Sequence, residues 1–366
     1  MNHRLLSLMA VAVIACLGLF ACAPATSGST DGGQDAGDNN SGVYAGPTSA
    51  SWTKGTLPSS GNTFVQGPAS FANHKGKTFV GWGYDYGFNA IGGGGLLVTA
   101  DDGATWTSVA LPAVDSATTQ TAHSISGVAS DGSRLYVASS AKIGIVVSDD
   151  DGATWSTVPA PGGMNVSGFR MRLFTTPGKV WVGGYNAGIF SSSDQGATWT
   201  THSANTGNPA QGTTSVVEAD GSIYAGGWGK IYKFSSDSPP QLSPFNSGIP
   251  FPGGSNQLLP MGKKLFSIST SSSIHSPGLL YSADLTSATP SWTQVMGVMS
   301  LRTLVRYKSA LFAFGDSTQK VSLSTDEGAT WTAFNQGLPT SSSNIAVGAG
   351  YLFAVNSGEI WRTPLK

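Results

Sequence analysis

The chain has 366 residues, among them 49 glycines and 10 tryptophans, with only 11% charged residues and a formal net charge of -1 at pH 7. That balance excludes a general electrostatic pull toward nucleic acid or anionic lipid, so any partner is held by local contacts. Both cysteines, Cys16 and Cys22, lie close to the N-terminus, which excludes a disulfide or a cysteine metal site from all that follows.

Residues 1–21 read as an export signal, with His3 and Arg4 as a short polar start and Leu5 to Phe20 as an apolar run. The run ends in Leu19-Phe20-Ala21-Cys22, which resembles the lipobox of bacterial lipoproteins. The resemblance implies lipidation at Cys22 and a membrane partner through that anchor. Val13-Ile14-Ala15-Cys16 also fits the pattern but leaves a very short apolar segment, and an ordinary secretory peptide cleaved near Ala23 gives the same compartment. Ala23 stands where an aspartate is associated with inner-membrane retention in enteric lipoproteins, so the expectation is an outer-membrane lipoprotein facing periplasm or cell surface. Residues 22–48 almost lack bulky apolar side chains, cannot bury enough surface to fold, and are expected to be a disordered tether.

From residue 49 to residue 366 the sequence repeats itself. The phrase TADDGATW from Thr99 returns as SDDDGATW from Ser148, SSDQGATW from Ser192 and STDEGATW from Ser324. Its central aspartates, Asp101, Asp150, Asp194 and Asp326, are 49, 44 and 132 residues apart, the last interval being three units of 44. Eroded copies occupy that gap, Ser235-Ser236-Asp237 without glycine or tryptophan and Ser282-Ala283-Asp284 with a delayed Trp292. A second phrase, a turn followed by an aromatic-rich strand, precedes each box: KGKTFVGW, DGSRLYVAS, PGKVWVGG, DGSIYAGG, GKKLFSIS, KSALFAFG and GAGYLFAV.

Alternating apolar residues, turn dipeptides and the absence of helical periodicity argue for short antiparallel strands throughout. A strand-built period in the forties is the mark of a propeller blade. The last unit lacks a box, and Ser51-Trp52-Thr53 resembles the strand that follows each box, so the N-terminus can supply the missing outer strand and hide two sheet edges. The expected fold is all-β, a seven-bladed β-propeller closed by an N-terminal strand, with six blades as the alternative.

Three adjacent carboxylates in Ser148-Asp149-Asp150-Asp151-Gly152 suggest a calcium loop, but an EF-hand register puts Val147 and Val158 at the first and last ligand places. The pattern S/T-x-D-x-G-x-T-W instead resembles the Asp-box, or bacterial neuraminidase repeat. That resemblance implies a turn between the third and fourth strands of a blade, in which hydroxyl and carboxylate satisfy turn N–H groups. Gly103, Gly152, Gly196 and Gly328 would take a conformation costly for other residues, and Trp106, Trp155, Trp199 and Trp331 would pack between blades. Asp-box proteins include sialidases, sortilin-type receptors and a photosystem II assembly factor, so the family spans cleavage and binding.

With boxes and strand-one-to-two turns on one face, binding residues are expected on the other. The richest loop there is GWGYDYGFNAIGGGG, carrying Trp82, Tyr84, Asp85, Tyr86, Phe88 and Asn89; Tyr185, Asn186, Trp228, His275, Asp316, Asn356 and Glu359 belong to the same set. Aromatics beside amides and a carboxylate suit sugar or peptide recognition. Equally, Tyr84, Tyr86 and Phe88 can fold back and plug the mouth of the ring.

Sialidases as a family use three arginines, a Tyr nucleophile paired with a Glu, an Asp acid/base and an Arg-Ile-Pro motif. No Arg-Ile-Pro occurs here; Arg170, Arg172, Arg302 and Arg306 fall on expected innermost strands, and Glu359 is the one glutamate placed to face the channel. Asp85, Asp316 and Glu359, with Arg170 and Arg302, are the candidates if the chain is a glycoside hydrolase. His74, His123, His202 and His275 make no metal pattern, no G-x-S-x-G is present, and Gly76-Lys77-Thr78 lacks the earlier glycine of a P-loop. The expectation is a non-catalytic, monomeric binding propeller for a glycan or protein, without metal or cofactor and without nucleic acid; the alternative is an exo-acting, sialidase-like hydrolase.

Overall fold

The computed structural model describes residues 42–58, 68–82, 95–112, 125–139, 144–162, 171–184, 188–203, 213–227, 229–235, 242–250, 256–270, 278–315, 321–339, 344–356 and 358–366. Among them every regular element is a strand. After the short β1 (Thr53–Lys54), the chain runs as successive antiparallel meanders of four strands.

The first meander is β2 (Pro68–His74), β3 (Lys77–Trp82), β4 (Gly95–Thr99) and β5 (Thr107–Val109). The second is β6 (Ile125–Ser130), β7 (Leu135–Ser139), β8 (Gly144–Ser148) and β9 (Ser156–Val158). The third is β10 (Met171–Thr176), β11 (Lys179–Gly184), β12 (Gly188–Ser192) and β13 (Thr200–Ser203). The fourth is β14 (Ser215–Ala219), β15 (Ser222–Gly227), β16 (Lys230–Phe234) and β17 (Leu242–Pro244). The fifth is β18 (Asn256–Met261), β19 (Lys264–Thr270), β20 (Gly278–Asp284) and β21 (Thr293–Gln294). The sixth is β22 (Leu301–Tyr307), β23 (Ala310–Gly315), β24 (Val321–Ser324) and β25 (Thr332–Ala333). The last, β26 (Asn344–Gly348), β27 (Tyr351–Asn356) and β28 (Glu359–Pro364), takes β1 as its fourth strand, with Thr53 opposite Arg362 and Lys54 opposite Trp361. One further pairing, Gly278 with Leu301, joins the fifth and sixth sheets.

The first strands stand side by side. β2 adjoins β6, and the series continues through β10, β14, β18, β22 and β26 before returning to β2. Polar side chains tie these neighbours. Ser70 Oγ accepts from Val128 N–H (3.0 Å) and donates to Val128 O (3.1 Å); Thr175 Oγ1 donates to Ser130 O (2.9 Å); Asn73 Nδ2 donates to Val347 O (3.0 Å). Each of these meets a backbone group that an inner strand edge would otherwise leave unpaired, which explains hydroxyls and amides inside otherwise apolar strands.

Hydrophobic burial lies between meanders rather than at one centre. Phe79, Leu96, Val128, Val137 and Val146 fill the first such interface, while Phe71, Val80, Leu97, Phe353 and Ile360 join the last meander to the first. Both faces of a strand such as Gly-Ile-Val-Val-Ser in β8 are therefore buried, and it reads as a continuous apolar run.

A tryptophan immediately precedes the outer strand of most meanders and packs back on the meander before it. Trp106 meets Phe353 edge-on (5.6 Å), Trp292 meets Phe245 (6.0 Å) and donates to its carbonyl (2.8 Å), and Trp199 donates to Pro159 O (2.8 Å). Trp155 and Trp331 lie against the corresponding clusters. In the fourth meander the position before β17 is Gln241, and the preceding interface is filled by Trp181, His202 and Phe234, whose rings lie 5.2 to 5.3 Å apart.

The boundary at residue 49 needs correcting. Tyr44 is buried edge-on against Tyr307 (6.3 Å) and Phe312 (5.9 Å), its N–H donates to Ser309 Oγ (2.8 Å), and its hydroxyl donates to Pro47 O (2.6 Å). A Cβ at Gly46 would collide with Leu365 O, so only glycine lets the N-terminal segment come this close to the chain beyond β28. Ala50 and Trp52 complete the same cluster, so packing begins at Tyr44, within the last five residues of the expected tether. One aromatic with a hydrogen-bonded hydroxyl suffices to pin a polar segment.

Candidate functional site

The box turns are built from their own side chains. Ser148 Oγ donates to Asp150 Oδ1 (2.9 Å) and accepts from Gly152 N–H (2.8 Å). Asp150 Oδ1 also accepts from Thr154 N–H (2.7 Å), and its Oδ2 accepts from the Thr154 hydroxyl (2.6 Å). The same bonds recur around Asp101, Asp194 and Asp326. Hydrogen bonds from the box threonine, hydroxyl and amide, hold all four carboxyls down to about 2.

Two consecutive residues in each turn are left-handed. Asp151 has φ 59° and Gly152 φ 91°, and Asp102, Gln195 and Glu327 repeat the first of these without the freedom of glycine. A Cβ on Gly152 would press on Phe79 of the preceding meander at 3.1 Å. A carboxylate with both oxygens committed to the turn, and so strongly acidic, has no proton to give at neutral pH.

The residues flanking the box aspartates are held by bases, mostly of the preceding meander. Asp149 receives Arg134 through Nε (2.6 Å) and Nη2 (2.7 Å), and Arg134 Nη1 reaches the next box at Gln195 O (3.2 Å). Asp151 Oδ1 accepts from Lys75 Nζ (2.7 Å) and His74 Nε2 (3.0 Å) of the preceding meander. Lys264 pairs with Glu327 (2.9 Å), and Arg362 Nη1 donates to the carbonyl oxygens of Asp102 (2.8 Å) and Asp101 (3.2 Å). Each box is thus held from behind by a base of the unit before it.

His74 also meets Ser130 Oγ through Nδ1 (2.8 Å), assembling serine, histidine and aspartate. The composition of a hydrolytic triad is present without its access. His74 and Ser130 are fully buried, and Ser130 Oγ already accepts from Gly132 N–H (3.0 Å). Burial outweighs Asp151 and pulls the imidazole below its ordinary value, so the ring is neutral, donates from Nε2 and accepts from the Ser130 hydroxyl. This is a clasp between two meanders.

Recognition residues are expected from the sequence on the opposite, loop face. Tyr84, Asp85, Tyr86, Phe88, Asn89, Tyr185, Asn186, Trp228, His275, Asp316 and Arg170 lie outside the described residues, as do Cys16, Cys22 and the side chain of Asn356, whose backbone ends β27. Trp82 does not belong to an exposed loop: it is the last residue of β3, fully buried with Phe71, Leu97 and Ile360, because the alternation of Val80 carries one step further than the loop boundary drawn from sequence.

Glu359 is corrected as well. It opens β28, where Oε1 pairs with Lys54 Nζ of β1 (2.6 Å) and Oε2 accepts from Trp361 Nε1–H (3.0 Å), so the outer strand, not the axis, claims it. Arg302 is exposed near the loop-face start of β22, whereas Arg306, four residues along, donates to Pro260 O (3.1 Å) toward the box face. About 13 Å of strand separates them, too far to clamp one carboxylate together. Arg172 is half-buried in β10, where burial lowers its guanidinium to about 10. No cluster of three or more metal-binding side chains occurs among the described residues.

Sequence reasoning missed one loop-face feature. The connection from β21 to β22, Val295-Met296-Gly297-Val298-Met299-Ser300, is described throughout and exposes Met296 and Met299. Its signal was the repeated Val-Met pair about a glycine.

No family model and no curated protein matches the chain. Solved structures do. YCF48 from Cyanidioschyzon merolae aligns with a TM-score of 0.59 at 13% identity, over 86% of this chain and 98% of that one. YCF48 bound to D1 peptide gives 0.56 at 16% identity, over 86% and 96%. The extracellular domain of the putative hybrid two component system BT3049 from B. thetaiotaomicron gives 0.55 at 12%, over 82% of this chain and 40% of that one. At these identities the likeness is one of fold, and the fold is a β-propeller.

Proposed function

We propose that the chain is an exported lipoprotein, anchored through Cys22 to the outer membrane, whose Asp-box repeats build a seven-bladed propeller that binds a protein or glycan ligand on its loop face without catalysing a reaction. The observation that carries this reading is how the carboxylates are used among the described residues. Asp101, Asp150, Asp194 and Asp326 are committed to turns, and Asp149, Asp151, Glu327 and Glu359 to ion pairs. A glycosidase needs two carboxyl groups flanking one bond, and Glu359, the glutamate expected at the channel, is bound to Lys54 and Trp361. A propeller of similar fold in complex with a peptide supports a polypeptide ligand ahead of a glycan.

The test replaces Tyr84 and Tyr86 together with alanine. Binding in pull-down and glycan-array screens is expected to fall while the melting temperature holds, since exposed rings carry contact area at small entropic cost. Earlier melting with binding intact would assign those rings to a plug. Hydrolysis of a sialoside or other glycoside by the parent, abolished by Asp85→Asn or Asp316→Asn, would replace the binding reading with an enzymatic one.

A further inference from the structure

The loop-face connection Val295–Ser300 carries an inference that does not rest on ligand binding. Chain direction places it: the box turn after β20 lies on the box face, so β21 runs away from that face and β22 starts at the other. Only six residues cross from the outer to the innermost strand, and the backbone is pinned along the way. Val295 N–H donates to Leu280 O (2.8 Å), Val295 packs on the Trp331 cluster, and Val298 is buried. Gly297 is left-handed at φ 89°, with the Trp331 ring so close that a Cβ would sit 3.2 Å from it, and Ser300 is left-handed at φ 55°.

Between these fixed points Met296 and Met299 project outward, 72% and 58% exposed, whereas Met171 and Met261 are 1% and 5% exposed. Exposed thioethers are an unusual expense for a surface, because methionine ordinarily fills core gaps. We propose that Met296 and Met299 form a paired, reversible oxidation site for hydroperoxides. In the reaction a sulfur lone pair attacks the terminal peroxide oxygen, the O–O bond breaks, and a sulfoxide forms. Sulfur is oxidised by two electrons, the peroxide is reduced by two, and after proton transfer hydrogen peroxide leaves as water. The polar sulfoxides stay in solvent because Val295, Gly297 and Val298 hold the backbone, so the core keeps its packing; oxidation of Met171 or Met261 would instead place a polar group within it.

The experiment exposes the folded full chain to hydrogen peroxide and follows each methionine peptide by mass spectrometry. Met296 and Met299 are expected to gain oxygen at least roughly tenfold faster than Met171 and Met261, in step with exposure. The doubly oxidised chain is expected to melt with the parent and to return to its original mass under methionine sulfoxide reductases supplied with a dithiol, which is oxidised to a disulfide as the oxygen leaves as water. A Met296→Leu/Met299→Leu variant keeps the fold and lowers the fast phase of peroxide consumption by two equivalents per chain. Equal oxidation of Met171 or Met261 in the folded chain, or a lowered melting temperature once only the pair is oxidised, would overturn the proposal.

Discussion

Trp52→Ala is the sharpest perturbation of the ring. Trp52 is buried among residues of the sixth and last meanders, including Phe312, Phe334 and Leu365. Its loss removes the largest apolar group holding the N-terminal segment, and truncating a buried tryptophan costs roughly 3 to 5 kcal/mol. The remaining attachments are mainly single hydrogen bonds and one ion pair: two opposed pairs in β1, Ser51 N–H on Thr363 Oγ1 (3.0 Å), Gly55 N–H on Ile360 O (2.9 Å), Thr56 N–H on Ala104 O (2.8 Å), Trp106 N–H on Thr56 O (2.9 Å), Lys54 with Glu359 (2.6 Å) and the Tyr44 contacts. Hydrogen bonds of this kind contribute about 1 kcal/mol net each, so the indole is worth several of them. At 1.4 kcal/mol per decade, the opening equilibrium of the segment should rise by roughly two to three and a half orders of magnitude. Hydrogen exchange of residues 43–58 and limited proteolysis read that opening directly, and thermal denaturation reads its effect on the whole. A variant whose N-terminal segment stays as protected as the parent's, with an unchanged melting temperature, would refute the wedge argument.

Other perturbations follow the same physics. The four box aspartates have carboxyls near 2 against an ordinary 3.8; their stabilisation is complete above about pH 4 and lost as pH falls toward 2, so Asp150→Asn should melt lower at neutral pH and show a shallower acid transition in circular dichroism. His202 is lowered from 6.5 to about 4, first by burial and then by Lys179; the unfolded chain takes the proton more readily, so stability declines as pH drops from 6.5 to 4, and His202→Gln should flatten the melting temperature across that window. Arg134→Ala leaves Asp149 without its partner and frees Gln195 O; a lowered melting temperature with ligand binding retained is expected, whereas loss of binding in a fully folded variant would place function on the box face. Cys22→Ser should move the chain from the membrane to the soluble fraction, and continued sedimentation with membranes would rule out the lipid anchor.

Legibility followed locality. The strands, their turns and the hydrogen bonds of SDDDGATW lie within a few residues of one another and repeat, so period and turn chemistry expose them. What escaped depends on partners far along the chain. Asp151 finds His74 and Lys75 some 76 residues upstream, and Glu359 finds Lys54 at a separation of 305, contacts that no local alternation encodes. The glycine-rich run beginning beside Trp82 makes it read as a loop residue, although the β3 ladder extends to its pairing with Gly95. Tyr44 was overlooked because a single aromatic hardly alters the composition of a polar segment. A recognition role for residues 82 to 89 rests on composition, which gives chemistry without position.

The pairing of β1 with β28 sets an order on folding. A ribosome delivers residue 53 first and residue 362 more than three hundred residues later, so the two sides of the seam meet only after all the strands between them have been made. Until then the sixth meander keeps an uncovered side, and the edges of the growing sheets remain open to pairing with other chains. A chain stopped even one strand early has no partner for Thr53 and Lys54 and cannot bring Trp52 to its place. Circular closure therefore acts as a length check: a copy cut short of β28 stays open and exposed to proteases.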